Sequence, residues 1–152
     1  MAETPKPLTV EPKDLAWLAE ALKLSKTLTP DLAALLKSLP NIALEAWPAG
    51  GDVVVEGEKG EDFFVVYSGT LAVLHRPRVG EAQVMGTLKD GDFFGEIGFL
   101  MKSARSATVR AQTDCRLFRF SAGEFSGLLQ RHRLLDDWIE RVACERIEKL
   151  FF

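Results

Sequence analysis

The sequence is poor in the residues that hold metals and disulfides. Its 152 residues include only two cysteines and two histidines. Cys115 and Cys144 lie far apart, no CxxC pair occurs, and His75 and His132 stand alone. The usual ligands of a zinc site are therefore missing. We expect two buried free thiols in a reducing compartment, with no metal and no cofactor.

Three features of other protein classes are also missing. No run approaches the roughly 18 apolar residues of a membrane span. The net charge is −3, without the basic excess that is typical of nucleic-acid-binding proteins. The N-terminus lacks the apolar core of a signal peptide. We therefore expect a cytoplasmic protein with no membrane span and no nucleic-acid partner.

Catalytic motifs are scarce as well. The sequence contains no GxSxG motif and no spacing that suggests a serine, histidine and acid triad. The stretch GEIGFLMKS resembles a P-loop, but Met101 and Glu96 occupy the positions where a P-loop requires glycine. We predict that the protein is not an enzyme.

The residues that are present indicate one domain with helices at both ends. Residues 1–12 are expected to be a flexible tail. Residues 13–40 should form an N-terminal helical segment. Its first helix would have Asp14 as the N-cap, and its second would begin at Thr29 and Pro30.

The middle of the chain has the sequence pattern of a β-protein. Over residues 41–120, short apolar runs alternate with turns rich in Gly and Asp, which favours an antiparallel sandwich or barrel. Residues 121–152 should form two C-terminal helices, the first capped by Ser121. The second has an apolar stripe with charged residues opposite, and the stripe comprises Leu135, Trp138, Ile139, Val142, Ala143, Ile147 and Leu150. The fold class is mainly β with flanking helices (α+β).

One stretch carries two charges among apolar and small residues. It reads FGEIGFLMKSARSATV from Phe94 to Val109, with Glu96 and Arg105 nine positions apart. A helical turn after Gly95 would leave its first amides free to bind an anion. An arginine at the start of a buried strand needs an anionic partner, and a phosphate fits its planar fork. A glutamate accepts hydrogen bonds and suits a hydroxyl group.

These demands describe a small ligand with one negative charge, a sugar hydroxyl and an apolar remainder. A cyclic nucleotide has all three. The stretch resembles the phosphate-binding cassette of the cyclic-nucleotide-binding domain family, which includes the regulatory subunits of cAMP-dependent kinase and the bacterial catabolite activator protein. The resemblance covers about residues 40 to 130, and it departs at Ala104, where the family commonly has proline.

The resemblance implies an eight-stranded antiparallel β-roll, a jelly-roll type of fold. It implies that Glu96 binds the ribose 2′-OH and that Arg105 pairs with the phosphate. The remaining ligand-binding residues would be Gly95, Ile97, Gly98, Ser106 and Ala107. The C-terminal helices would act as a lid, moved through Phe99 and Leu100, that signals to a protein effector.

Several alternatives stay open at this point. We expect cAMP rather than cGMP as the ligand, but the choice between them stays open, because Ser106 could contact either the phosphate or a guanine amino group. Trp138 and its neighbours could pack in the core or form a homodimer through the C-terminal helix, and Phe151 or Phe152 could cover the purine. Glu96 and Arg105 could instead pair with each other. The fold could also be a degenerate one that binds no ligand and serves as a scaffold for proteins, or a cupin-type enzyme, which two histidines make a poor fit.

Overall fold

A computed structural model describes residues 5–22, 42–131 and 133–151. Within these ranges the chain forms nine strands and four helices. The strands are β1 Lys6–Leu8, β2 Ala43–Trp47, β3 Asp52–Val54, β4 Phe63–Ser68, β5 Leu71–His75, β6 Gln83–Leu88, β7 Phe93–Phe94, β8 Thr108–Ala111 and β9 Cys115–Phe120. The helices are α1 Pro12–Ala21, α2 Glu96–Met101, α3 Ala122–Arg131 and α4 Arg133–Phe151.

The strands form two antiparallel sheets that face each other. One has the order β1-β2-β9-β4-β7 and the other β3-β8-β5-β6. The prediction of a mainly β fold with flanking helices is confirmed. The predicted roll over residues 41–120 contains the expected eight strands, β2 to β9, and Lys6–Leu8 pairs with β2 and adds a ninth strand to the sheet. The same strand corrects the expectation of a flexible tail for residues 6–8.

The five-stranded sheet buries a different core on each face. Along β4 the side chains alternate, so Phe63 and Val65 face the helices while Phe64 and Val66 face the other sheet. On the helix side, the ring of Phe63 stacks on Phe125 of α3 with centroids 3.9 Å apart. This alternation lets one sheet pack against the helices on one side and against the second sheet on the other.

The first helix begins earlier than the sequence suggests. Its N-cap is Glu11, whose amide donates to Asp14 Oδ2 at 2.8 Å, so Asp14 lies inside the first turn rather than at the cap. Asp14 Oδ1 accepts a hydrogen bond from the hydroxyl of Tyr67 at 2.7 Å. These bonds attach α1 to β4. The helix predicted to begin at Thr29 lies outside the described residues.

The C-terminal stripe packs in the core. Leu135 and Ile139 belong to the core under the five-stranded sheet, and Ala143 is also buried. The ring of Trp138 meets Phe93 edge-on with centroids 5.0 Å apart. This favours the core interpretation of these residues over a dimer contact. The side chains of Phe151 and Phe152, considered as purine covers, lie outside the described residues.

Two smaller findings concern the cysteines and the helix lengths. Both cysteines are free, as expected, but Cys144 is exposed on α4, so the expectation that both are buried is wrong. No helix within the described residues is long and apolar enough to span a membrane.

Candidate functional site

A cavity of about 260 Å³ opens between the four-stranded sheet, α2 and α4. This volume is just below the roughly 300–1,000 Å³ that is usual for small-molecule sites. Its wall has an apolar part and a charged part, and the lining residues are Val54, Val73, Met85, Gly86, Thr87, Leu88, Asp92, Phe94, Gly95, Glu96, Ile97, Gly98, Arg105, Ser106, Ala107, Val109 and Arg146. The cavity therefore suits a small ligand with both apolar and charged parts.

The structure brings all the candidate ligand-binding residues to this cavity. Its lining includes Gly95, Glu96, Ile97, Gly98, Arg105, Ser106 and Ala107. They come from two segments that meet at one end of the roll: the turn from β7 into α2, and the stretch that leads into β8. The predicted helical turn is present as α2. Whether these residues bind a ligand stays a prediction.

A sharp turn places Glu96 at the start of α2. Gly95 has φ +94°, in the left-handed region, and a Cβ on it would collide with the carbonyl oxygen of Asp62. Only glycine meets both conditions without strain. The side chain of Glu96 that follows is only 2% exposed, so its carboxylate is aimed into the protein and requires polar partners.

Arg105 is held by the backbone of the two neighbouring loops. Its Nη1 donates to the carbonyl oxygen of Gly95 at 3.3 Å, and its Nη2 donates to that of Asp62 at 3.2 Å. Burial lowers the pKa of the guanidinium, while the nearby Asp62 and Glu96 carboxylates raise it. Arginine nevertheless stays protonated in proteins. A buried cation whose side-chain hydrogen bonds go to neutral carbonyls is well suited to bind an anion.

The carboxylate of Asp62 is paired with a different arginine. Nη2 of Arg119 on β9 lies 2.6 Å from Oδ2 of Asp62. The backbone of Arg105 is fixed separately, because its amide donates to the carbonyl oxygen of Glu58 at 2.8 Å. The carboxylate that raises the pKa of Arg105 most is thus already paired with another arginine. Asp62 was not among the predicted site residues, since an acidic residue in a turn gives no sign that its carbonyl supports an arginine.

Glu96 is paired with α4 rather than with Arg105. Arg146 Nη1 donates to Glu96 Oε1 at 2.6 Å, and its guanidinium lies 4.9 Å from the centroid of the Phe93 ring. The alternative of a Glu96–Arg105 ion pair is therefore wrong. Arg146 was missed because the charged residues of α4 were assigned to the outer face. Its spacing of four residues from Val142 and three from Ala143 places it on the apolar stripe, and this is the signal that could have identified it.

The other end of the cavity is mostly apolar. Val54, Val73, Leu88 and Val109 come from the strands of the four-stranded sheet, with Met85 beside them. Sequence reasoning did not identify them as site residues, since inward-facing valines and leucines look the same in a filled core. These side chains differ from core residues because they line a cavity. The cavity forms only when the strands and helices have packed together, so the sequence alone does not reveal it.

Comparison with known proteins identifies the family. Residues 44–132 match the family model described as the cyclic nucleotide-binding domain. The chain belongs to the cyclic nucleotide-binding domain family. The match includes both segments that form the charged end of the cavity, so the resemblance seen in the sequence is confirmed.

Individual relatives agree with the family assignment. The potassium/sodium hyperpolarization-activated cyclic nucleotide-gated channel 2 of Mus musculus is 30% identical over 112 residues, which make up 74% of this chain and 12% of the channel. The chain thus spans about an eighth of the length of that relative.

Solved structures give the same fold. A cyclic nucleotide-binding domain from Methylobacillus flagellatus matches with a TM-score of 0.79 and 18% identity, covering 97% of this chain and 85% of that one. The regulatory domain of Toxoplasma gondii PKA, solved with cAMP, matches with a TM-score of 0.67 and 25% identity, covering 78% of this chain and 46% of that one.

Proposed function

We propose that this chain is a receptor module for a cyclic nucleotide, with cAMP preferred to cGMP. The observation that carries the proposal is the buried guanidinium of Arg105 on the cavity wall, whose two side-chain hydrogen bonds among the described residues go to carbonyl oxygens. The cyclic phosphate carries one negative charge, and a planar guanidinium can bind two of its oxygens at once. Ser106 and Ala107 follow directly and would complete the phosphate site.

The ribose would bind at Glu96. A carboxylate accepts a hydrogen bond from a hydroxyl group, and that of Glu96 lies on the same wall as Arg105. The backbone of Gly95, Ile97 and Gly98 would surround the sugar and phosphate, since glycine lets the main chain approach a ligand closely.

The apolar end of the cavity supports the preference for adenine. Guanine presents more hydrogen-bonding groups along its edge than adenine does. Burying such groups against valine, leucine and methionine leaves them unpaired, which costs free energy. The Toxoplasma gondii relative was solved with cAMP, in agreement with this choice.

Ligand binding would be coupled to α4 at Glu96. The carboxylate that would receive the ribose hydroxyl already accepts a bond from Arg146. Arg146 and Trp138 both lie against the ring of Phe93, next to Phe94 on the cavity wall. A ribose hydroxyl that competes with Arg146 for the Glu96 carboxylate would weaken the ion pair that attaches α4 to α2. The shift between two positions of α4 is limited by the difference in ligand affinity between them.

A second route would pass through α2. The ring of Phe99 meets Phe125 of α3 with centroids 4.7 Å apart, and Leu100 packs against the same core. Movement of α2 would therefore also reach α3, in addition to α4, which α2 contacts directly. We propose that a protein effector reads the position of these helices. A homodimer through α4 stays a separate prediction that sedimentation would test.

Calorimetric titration with cAMP, cGMP and adenosine tests the proposal. We expect cAMP to bind more tightly than cGMP, and adenosine to bind weakly because it has no phosphate for Arg105. Each ligand that binds should also raise the melting temperature. The absence of heat and of a thermal shift with both cyclic nucleotides at millimolar concentration would refute the receptor and favour the scaffold that binds no ligand. Equal binding of adenosine and cAMP would refute the role of Arg105.

The coupling to α4 needs its own measurement. Hydrogen exchange of residues 133–148 should change when cAMP is added to the wild-type protein, and the change should be smaller in Arg146→Gln. Equal changes in both proteins would show that the Glu96–Arg146 bond does not transmit binding.

A further inference from the structure

Gly60 lies directly against the guanidinium of Arg105. A Cβ built on Gly60 would be 2.9 Å from both Nε and Nη2 of Arg105, and 3.2 Å from Cζ. These three atoms belong to one planar group, so the missing side chain leaves room for the guanidinium itself.

The backbone on both sides of Gly60 is fixed in place. The amide of Gly57 donates to the carbonyl oxygen of Arg105 at 2.9 Å, and the amide of Arg105 donates to that of Glu58 at 2.8 Å. On the other side, a Cβ on Gly98 of α2 would be only 2.7 Å from the carbonyl oxygen of Gly60. The loop is thus held between Arg105 and α2 and has little room to retreat.

Gly60 differs from the other two glycines around Arg105. A Cβ at Gly95 or at Gly98 would meet backbone oxygen, and Gly95 also has a positive φ, so substitution there disturbs the main chain. Gly60 has no such φ, and the nearest atoms belong to a long side chain that can move. An alanine at position 60 would therefore displace Arg105 rather than the backbone.

We propose that Gly60 is a positioning residue for Arg105. Its bare backbone is the surface on which the guanidinium lies while it donates to the carbonyl oxygens of Gly95 and Asp62. The packing part of this inference concerns the protein without ligand. The ligand part rests on the proposed function, because it assigns the position of Arg105 to phosphate binding.

A double-mutant cycle tests the packing without ligand, using wild type, Gly60→Ala, Arg105→Ala and the double variant. Gly60→Ala should lower the melting temperature when Arg105 is present. In the Arg105→Ala background it should leave the melting temperature unchanged or raise it, since alanine restricts the unfolded chain. A fall of the same size in both backgrounds would overturn the proposal, as would a loss of folding in both.

The same four proteins test the role in binding. Gly60→Ala should weaken cAMP binding about tenfold, and less than twofold once Arg105 is alanine, because the two changes remove the same charge-assisted contact. The matched control is Gly127→Ala, in which the added Cβ meets nothing within 4 Å, and its affinity should equal that of wild type. Unchanged affinity in Gly60→Ala, with weakened binding in Arg105→Ala, would overturn the positioning role but not the receptor.

Wild-type protein that binds neither cyclic nucleotide would overturn the proposed function and the ligand part of this inference. The melting-temperature cycle would still decide the packing part. The two failures are therefore distinguishable.

Discussion

Two buried charges in this protein have opposite surroundings. Asp14 is 4% exposed and Arg105 is 8% exposed. Both carboxylate oxygens of Asp14 accept hydrogen bonds, one from the hydroxyl of Tyr67 and one from the amide of Glu11. Asp14 lies on α1 and Tyr67 on β4, so these bonds lie where the helix packs on the sheet. Arg105 donates to two carbonyl oxygens and borders a cavity. Burial alone therefore does not distinguish the two charges. What distinguishes Arg105 is its position on the cavity wall and the lack of a carboxylate salt-bridge partner among the described residues.

The largest expected effect is a loss of cAMP affinity when Arg105, but not Asp14, is replaced. Arg105→Ala should weaken cAMP binding by about 1.5–3 kcal/mol, roughly 10- to 150-fold, because a charge-assisted hydrogen bond to the phosphate is lost. Calorimetric titration measures the change. The matched control is Arg110→Ala, which removes an arginine that pairs with Asp52, and it should bind as wild type does. An unchanged dissociation constant in Arg105→Ala would place the phosphate elsewhere.

The next effect concerns Asp14 and should appear in stability alone. Asp14→Asn should lower the free energy of unfolding at neutral pH by about 1–3 kcal/mol, since the bonds from Tyr67 and Glu11 lose a charged acceptor. Denaturant unfolding measures it, with Asp52→Asn at the half-exposed pair with Arg110 as the control. Cyclic-nucleotide affinity should not change. A loss of affinity in Asp14→Asn would mean that the two charges are not independent.

The pH dependence of this effect has a definite sign. Burial of Asp14 opposes its ionisation, but the hydrogen bonds from Glu11 and Tyr67, together with the positive charges of Lys13 and Arg116, lower the pKa below its ordinary value of 3.8. A lowered pKa in the folded state stabilises the protein above pH 3.8, and this contribution is lost as the pH falls through the folded-state pKa. The difference between wild type and Asp14→Asn should therefore shrink in acid. A difference that grows below this pH would contradict the assignment.

A smaller effect is expected at Glu96. Glu96→Gln should weaken cAMP binding by about 1 kcal/mol, roughly fivefold, because the amide oxygen can still accept the ribose hydroxyl but carries no charge. The loss should be smaller for 2′-deoxy-cAMP, which has no hydroxyl to donate. Titration of both ligands measures it, with Glu140→Gln on the exposed face of α4 as the control. An equal loss of affinity for cAMP and for 2′-deoxy-cAMP would show that Glu96 does not bind the ribose hydroxyl.

The charged end of the cavity was largely predictable from the sequence because its residues are local. Glu96 and Arg105 lie nine positions apart, and the glycines on either side of Glu96 allow the backbone to approach a ligand closely. The family resemblance covered the same segment. The local spacing and the family resemblance therefore indicated the candidate residues, and the alternation of short apolar runs with turns indicated the fold class. Neither could show which groups would pair.

The remaining features depend on contacts between distant segments. Arg146 reaches Glu96 across 50 positions of the sequence. Gly60 lies against the guanidinium of Arg105, from which it is also distant in sequence. The strand Lys6–Leu8 was missed because its residues are exposed and include a proline, which strands tolerate at sheet edges. Its pairing with β2 comes from tertiary structure and leaves no periodic pattern in the sequence.

The smallest expected effect comes from a glycine that touches neither charge. Gly127 lies inside α3, and a Cβ on it would meet nothing within 4 Å. Gly127→Ala should raise the free energy of unfolding by about 0.5–1 kcal/mol, because glycine weakens a helix interior relative to alanine. Denaturant unfolding and cAMP titration measure stability and binding on the same sample. A gain in stability with unchanged affinity would show that effects on binding at Gly60 and Arg105 do not follow from stability in general. A loss of stability would instead mean that the face of α3 around Gly127 is packed against another part of the protein.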